Sequence, residues 1–120
     1  MVQFNMKYEF KGRHYMASFK SCKYPLGVSS KELSSVMRGG LEKVHASIVS
    51  YVDEFFTNEG YTCVFLLKES HCSLHTYPEH ASAFIDFFTC DSGCKMEEFH
   101  THLVSVLEPA SAEFQIVDRQ

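Results

Sequence analysis

The sequence predicts an α+β fold, a two-layer sandwich in which an antiparallel sheet carries helices packed on one face. Short runs rich in β-branched and aromatic residues recur along the chain between turn signals. Two longer segments instead repeat apolar residues at helical spacing. With 120 residues and 45% hydrophobic content, the chain fits a single domain with one core, residues 1–120.

The first half of the chain is predicted to hold four strands and one helix. A turn at Lys11-Gly12 would join the first two strands. The helix is expected to begin at Ser29 or Ser30, with Glu32 as the acid of a capping box after Ser29. Gly39-Gly40 is expected to kink or break this helix. The predicted strands cover residues 6–10, 13–20, 46–56 and 61–67.

The second half of the chain is predicted to hold three strands and a second helix. Residues 96–107 place Phe99, Leu103 and Val106 on one helical face, and Pro109 stops the helix. The predicted strands cover residues 70–77, 83–89 and 112–117.

Composition argues against several classes of protein. The net charge is −4, and no block of lysines or arginines favours a nucleic-acid partner. No apolar run approaches the length of a membrane span, and the start lacks a signal-peptide pattern, so a cytoplasmic protein is expected. The five cysteines are odd in number and irregularly spaced, which predicts reduced thiols rather than a disulfide scaffold.

Reactive residue types are densest in residues 68–79, and three interpretations of them are open. His71 and His75 could simply be hydrogen-bonded residues of one strand, about 13 Å apart and therefore not a pair. Together with Cys90 and Cys94 they could bind zinc, although their spacing matches no common zinc module and no metal is expected. Alternatively, Cys90 could be a thiol nucleophile activated by His75.

A longer pattern distinguishes among these interpretations. Glu-Ser-His-x-x-x-His-Thr-x-Pro-Glu at Glu69–Glu79, followed by Phe-Thr-Cys at Phe88–Cys90, resembles the signature of the small, prokaryotic-type S-adenosylmethionine decarboxylases. Upstream, Phe56-Thr57-x-x-Gly60-x-Thr62 and Gly12-Arg13-His14, with Cys22 eight residues on, are similar to two further segments of that family. The resemblance runs from about residue 12 to the last strand.

The resemblance implies a proenzyme that cuts its own backbone between Glu69 and Ser70. The products would be residues 1–69 and a chain of residues 70–120 that begins with a pyruvoyl group made from Ser70. This group would form a Schiff base with the substrate amine and act as the electron sink for decarboxylation.

The resemblance also implies roles for individual side chains. His75 would accept a proton during processing, and Thr62 falls where the family has a processing serine. Cys90 would be the proton donor in decarboxylation, since a thiol pKa is near enough to neutrality for this role.

Other positions are implied to bind the substrate. Phe56 matches an aromatic residue that stacks on adenine, Glu79 matches a carboxylate that holds the ribose, and Tyr77 replaces a family tryptophan beside it. The implied assembly is a homodimer of cleaved protomers that share sites, and the implied activity serves spermidine and other polyamine synthesis.

The chain departs from the family pattern where substrate shape and charge would be recognised. Ser18 replaces an acid, Asn58 a proline and Asp91 a glycine, and residues 80–84 replace the usual Tyr-Gly-Tyr-Ala-Ala. A pyruvoyl-dependent ornithine or arginine decarboxylase is therefore an alternative within the same reaction class. A non-catalytic regulatory homologue is a third hypothesis, which the presence of Ser70 and Cys90 disfavours.

Overall fold

A computed structural model of the chain describes residues 8–120, with side chains from Phe10 onward. Six strands form one antiparallel sheet in the order β2-β3-β4-β5-β1-β6. The predicted α+β class is confirmed. The strands are β1 (Tyr8–Cys22), β2 (Ile48–Phe55), β3 (Tyr61–Leu67), β4 (Ser70–Tyr77), β5 (Ser82–Asp91) and β6 (Pro109–Arg119), and the α-helices are α1 (Ser30–Lys43) and α2 (Met96–Leu107). A short 3-10 turn, Pro78–His80, follows β4.

The core lies between the two helices and one face of the sheet. Phe99 of α2 contacts Phe87 of β5 and Tyr15 of β1, with ring centroids 4.8 and 5.4 Å apart. In β4, Cys72 and Leu74 are buried on this side, whereas Ser73 between them is only partly buried, because side chains alternate between the two faces of a strand. Burial of these apolar side chains is the main stabilising contribution to the fold.

The opposite face of the sheet, called the open face below, is not covered by either helix among the described residues. Its side chains form rows across the strands, and one row runs through Thr62, His75, Phe84 and Ser18 as successive register partners. Several apolar side chains on this face are exposed, namely Met16, Val52, Val64, Leu66, Phe84 and Val117. An apolar surface of this extent is typical of a surface that another molecule covers.

The predicted turn at Lys11-Gly12 is wrong. β1 is continuous from Tyr8 to Cys22, and only its register against β5 shifts between Tyr8 and Arg13. Gly12 allows a close approach, because a Cβ atom there would lie 2.3 Å from the Phe88 ring. The first residues of the predicted strand 6–10 lie outside the described part of the chain.

Helix α1 begins where predicted, but two details differ. Ser29 is the N-cap residue, yet the cap has no side-chain hydrogen bond, so the predicted capping box with Glu32 does not form. Gly39-Gly40 does not break the helix. A Cβ atom at Gly40 would lie 3.2 Å from the Phe99 ring, so glycine here allows α1 and α2 to pack closely.

The other predicted elements occur, with strand ends that differ by a few residues. β6 is longer than predicted and begins at Pro109, directly after α2. The chain turns there because Glu108 adopts a left-handed conformation, with φ 47°, at the end of the helix.

Candidate active site

The predicted cleavage bond lies at the tip of a hairpin. Leu67 and Ser70 are register partners of β3 and β4, so Lys68 and Glu69 alone form the connection. Glu69 is exposed and has φ 57°, a left-handed conformation that is uncommon for a residue with a side chain. The Glu69–Ser70 peptide bond therefore follows a locally strained residue in a tight turn.

Ser70 is held by a residue of β5. Its hydroxyl donates a hydrogen bond to Oγ1 of Thr89 at 3.2 Å, and the backbone N–H of Asp91 donates to the same oxygen at 3.0 Å. Thr89 is buried, so its position is fixed by the surrounding core. The contact places the Ser70 hydroxyl on the core side of the sheet, whereas the side chain of the next residue, Cys90, lies on the open face, because successive residues of a strand point to opposite faces.

Cys90 is partly buried at the wall of a cavity of about 330 Å³. Arg13 and Arg119 line the same cavity, together with the carboxylates of Asp91 and Asp118. Arg13 pairs with Asp118, with Nε and Oδ1 3.4 Å apart. The thiol thus faces a space that can hold a small polar ligand.

The other thiols are structural. The five cysteines, all within the described residues, form no disulfide, as the sequence predicts. Burial raises the pKa of Cys63 to about 12 and raises the pKa of Cys72 above its ordinary value. Thiols in this state are poor proton donors and nucleophiles at neutral pH. Cys90 therefore remains the chemically accessible cysteine.

Thr62 and His75 form a second polar pair, on the open face. They are register partners in β3 and β4, and Oγ1 of Thr62 lies 3.0 Å from Nδ1 of His75. Both side chains are partly buried. A hydroxyl that contacts an imidazole in this way fixes the ring orientation, which is what a proton-accepting histidine requires.

Phe56 lies in the turn between β2 and β3, with 51% of its surface exposed. Its N–H donates to the Gly60 carbonyl at 2.8 Å, and its carbonyl accepts from the Glu59 N–H at 2.9 Å. Asn58, which replaces a proline of the family pattern, accepts a hydrogen bond from the Gly60 N–H at 3.1 Å. The asparagine side chain therefore stabilises the turn that presents Phe56.

Tyr77 and Glu79 lie at the same end of the sheet as Phe56. Tyr77 is the last residue of β4, and its ring centroid is 5.5 Å from that of Phe84. Glu79 is exposed in the turn Pro78–His80 that follows.

The structure separates the predicted site residues into two groups. The Ser70 end consists of the predicted residues Glu69, Ser70 and Cys90 together with Thr89, and the His75 end consists of Phe56, Thr62, His75, Tyr77 and Glu79. His75 lies five residues after Ser70 in one strand, which corresponds to about 16 Å. Within one chain, the two ends do not meet.

This separation corrects one of the interpretations made from the sequence. His75 is the register partner of Phe84, and Cys90 lies six residues further along β5, roughly 20 Å away. A nucleophilic Cys90 activated by His75 of the same chain is therefore wrong, because the two side chains cannot share a proton over that distance.

The zinc interpretation finds no cluster in the described part of the chain. Cys94 packs in the core, whereas His71, His75 and Cys90 belong to the other side of the sheet. Among residues 8–120, no group of three or more His, Cys, Asp or Glu side chains is placed to hold a metal ion. In the same residues, neither helix has the length and apolarity needed to cross a membrane.

Thr89 is the residue of this site that the sequence did not reveal. It lies in the Phe-Thr-Cys segment, yet a threonine in a strand is ordinary on composition alone. Only the register of β4 against β5 brings its hydroxyl to Ser70.

The chain is similar to proteins of known family. The chain matches the S-adenosylmethionine decarboxylase family over residues 13–120. It is 30% identical to the S-adenosylmethionine decarboxylase proenzyme of Archaeoglobus fulgidus over 90% of this chain and 96% of that protein. It is 34% identical to the corresponding proenzyme of Brevibacillus brevis, over 87% of this chain and 78% of that protein.

A solved structure shows the same fold. The adenosylmethionine decarboxylase of Aquifex aeolicus superposes with a TM-score of 0.79 at 25% sequence identity, covering 90% of this chain and 89% of that one. The matched region includes both ends of the site described above. The chain therefore belongs to the S-adenosylmethionine decarboxylase family, which is a family of pyruvoyl-dependent carboxy-lyases.

Proposed function

We propose that the chain cleaves itself between Glu69 and Ser70 and then decarboxylates S-adenosylmethionine in the cytoplasm, as a step of spermidine synthesis. The observation that carries this proposal is the position of Ser70 directly after a strained residue at a hairpin tip, with its hydroxyl bonded to Thr89, the residue that precedes Cys90. Membership of the family supports the substrate, since the relatives described above are named for it.

Cleavage needs water and side chains that this sequence supplies, Ser70 from one copy and His75 from a second. The Ser70 oxygen attacks the Glu69 carbonyl carbon, and the peptide C–N bond breaks to give an ester and a free amine. Removal of the Ser70 α-proton then expels the Glu69 carboxylate and leaves a dehydroalanine. Its imine tautomer is hydrolysed by water, which releases ammonia and gives the pyruvoyl group of residue 70. His75 is the proposed proton acceptor, oriented by Thr62.

The side chains at and near position 70 are compatible with a pyruvoyl group. Ser70 supplies the necessary hydroxyl, and Cys90 faces a cavity large enough for the reacting part of a substrate. When formed, the pyruvoyl group supplies the electrophilic carbonyl and the electron sink of the decarboxylation. Cys90 is the proposed donor that returns a proton to the substrate α-carbon, and Phe56, Tyr77 and Glu79 are proposed to bind the nucleoside.

The proposed active form is a homodimer in which each site uses both chains. A single chain holds its Ser70 and His75 ends about 16 Å apart. A twofold axis that lies between two stacked open faces, parallel to them and perpendicular to the strands, would bring the Ser70 end of one chain to the His75 end of the other. The exposed apolar side chains of that face, including Val64 and Leu66, support its burial in such a dimer.

Intact mass spectrometry of the purified protein tests the cleavage. Masses of residues 1–69 and of pyruvoyl-70 to 120 are expected, and S-adenosylmethionine is expected to release carbon dioxide in the same preparation. A chain that stays intact after long incubation would contradict the proposal. Ornithine and arginine serve as comparison substrates. Faster decarboxylation of either would identify it, rather than S-adenosylmethionine, as the substrate.

Co-expression of two inactive variants tests the shared site. Ser70→Ala keeps His75 and His75→Ala keeps Ser70, so a mixed dimer has one complete processing site and one lacking both groups. The His75→Ala chain is therefore expected to be cleaved when both variants are present and to be cleaved slowly by itself. Equal cleavage in both preparations would mean that each chain acts alone.

A further inference from the structure

A second cavity, of about 590 Å³, opens at the His75 end of the molecule. Its volume is within the range of small-molecule sites. Two aromatic rings form one wall, and polar side chains surround them. The residues used in the argument are Ser18, Lys20, Tyr77, His80, Ser82 and Phe84.

Phe84 is the central residue of this wall. It lies on β5 between His75 and Ser18, its register partners on the two neighbouring strands. Although it lies in an interior strand of the sheet, 49% of its surface is exposed. Tyr77 stands edge-on to it, at 71° between ring planes, so the face of one ring remains available to a ligand.

The same positions distinguish this chain from the family pattern. Phe84 ends the stretch that replaces Tyr-Gly-Tyr-Ala-Ala, and its neighbour Ser18 replaces an acid. The cross-strand pair therefore combines a large ring with a small hydroxyl side chain in place of a small residue and a charge. This exchange makes room beside Ser18 and gives the space an aromatic wall.

We propose that Phe84 is a specificity-determining residue that stacks, together with Tyr77, on the purine nucleoside portion of the substrate. This inference rests on the proposed function and adds a contact to it. The ring face attracts both a purine and a neighbouring sulfonium cation. Ser18 and His80 supply polar groups at the rim, where the edge of a purine needs hydrogen-bonding partners.

Binding of 5′-methylthioadenosine tests the contact apart from catalysis. This nucleoside thioether lacks the α-amino and carboxylate groups of the substrate, so it reports nucleoside binding without reaction at residue 70. Isothermal titration calorimetry on the purified protein is expected to give a Kd roughly tenfold higher for Phe84→Ala than for the natural chain. Phe84→Tyr keeps the ring and is expected to bind within about twofold of the natural chain.

Leu66→Ala is the matched control, since Leu66 is 54% exposed on the same open face but away from the cavity. Sedimentation of each variant records its oligomeric state. Weaker binding in Phe84→Ala with unchanged sedimentation, and unchanged binding in Leu66→Ala, would support the proposal.

Unchanged binding in Phe84→Ala would overturn the proposal, and so would failure of the natural chain to bind the probe at millimolar concentration. If both alanine variants lost affinity only as they dissociated, Phe84 would be an interface residue instead. A natural chain that binds the probe through Phe84 but neither cleaves nor decarboxylates would contradict the proposed function while supporting this contact.

Discussion

The two ends of the site use different kinds of side chain. At the Ser70 end, a strained turn and the two hydrogen-bonded hydroxyls of Ser70 and Thr89 lie on the core side of the sheet, and the Cys90 thiol lies on the open face next to Thr89 in β5. At the His75 end, a hydroxyl–imidazole pair lies beside exposed aromatic rings. The first end is suited to breaking bonds and the second to moving a proton and binding a flat ligand. Because the two ends lie far apart in one chain, the proposed activity requires two chains to meet, and the predictions below test each end separately.

Loss of the Ser70 hydroxyl is expected to have the largest effect. Ser70→Ala removes both the nucleophile and the atom that leaves during elimination, so no cleavage and no decarboxylation are expected. Mass spectrometry would show one chain of residues 1–120. Ser73→Ala, on the same strand, is the control and is expected to cleave normally. Cleavage of Ser70→Ala would remove Ser70 from the mechanism.

Loss of the Cys90 thiol separates the two reactions of the Ser70 end. Cys90→Ala is expected to cleave, at least in part, but to decarboxylate roughly 100-fold more slowly, because a positioned proton donor contributes about that much. The measurement is carbon dioxide release per cleaved chain. Cys94→Ala is a control that removes a buried thiol instead. Full activity of Cys90→Ala would show that another group returns the proton.

Changes at the His75 end are expected to slow backbone cleavage without abolishing it, in contrast to Ser70→Ala. His75→Ala removes the proposed proton acceptor, and its cleavage half-time is expected to lengthen by at least about tenfold. Thr62→Val keeps the shape of Thr62 and removes the hydroxyl, so a smaller delay is expected. Thr62→Ser restores the hydroxyl and should cleave at nearly the natural rate. Equal half-times in all three variants would contradict the assignment.

A pair outside both ends should affect stability rather than activity. The Tyr15 hydroxyl lies 2.7 Å from Nδ1 of His100, whose ring stacks on Phe114 at 3.8 Å. Burial lowers the pKa of His100 below its ordinary value of 6.5. As the pH falls, the His100 imidazole is therefore protonated in the unfolded chain before it is protonated in the folded chain. The stability that comes from burying the neutral imidazole is complete above pH 6.5 and is lost as the pH falls below that value.

Thermal unfolding between pH 7.5 and 5 measures this contribution against His100→Gln, which does not titrate. The melting temperature of the natural chain is expected to fall more over this range than that of the variant, by a few degrees or less. Parallel pH profiles would mean that His100 does not contribute.

Much of the fold follows from local patterns. The alternation in β3 and β4 and the apolar spacing in α2 give the bounds of these elements directly. The predicted turn at Lys11-Gly12 does not form, because Gly12 instead accommodates the Phe88 ring of another strand. The predicted kink at the glycines of α1 does not form for a similar reason, since side chains of α2 fill the space beside them, His102 at Gly39 and Phe99 at Gly40. Such glycines respond to tertiary neighbours, which a local pattern does not contain.

The sequence proposes the site as a set of residues but contains no information on their arrangement. The spacing of Ser70, His75 and Cys90 identifies the family, yet it carries no information on which side chains meet. The role of Thr89 and the distance between His75 and Cys90 both depend on strand register. Likewise, Phe84 is exposed because β5 places it on the face that the helices leave open.

The sheet order has a consequence for what a backbone cut would produce. A break before Ser70 would leave β1, β2 and β3 on one polypeptide and β4, β5 and β6 on the other. Because β1 lies between β5 and β6, three of the five strand junctions, β3–β4, β5–β1 and β1–β6, would then join different polypeptides. Strands of the two fragments would thus be neighbours at several places in one sheet, so neither fragment could dissociate without breaking strand pairs. After cleavage the two fragments would therefore separate under denaturing conditions but stay together in the native protein. Neither fragment is expected to fold when it is expressed alone.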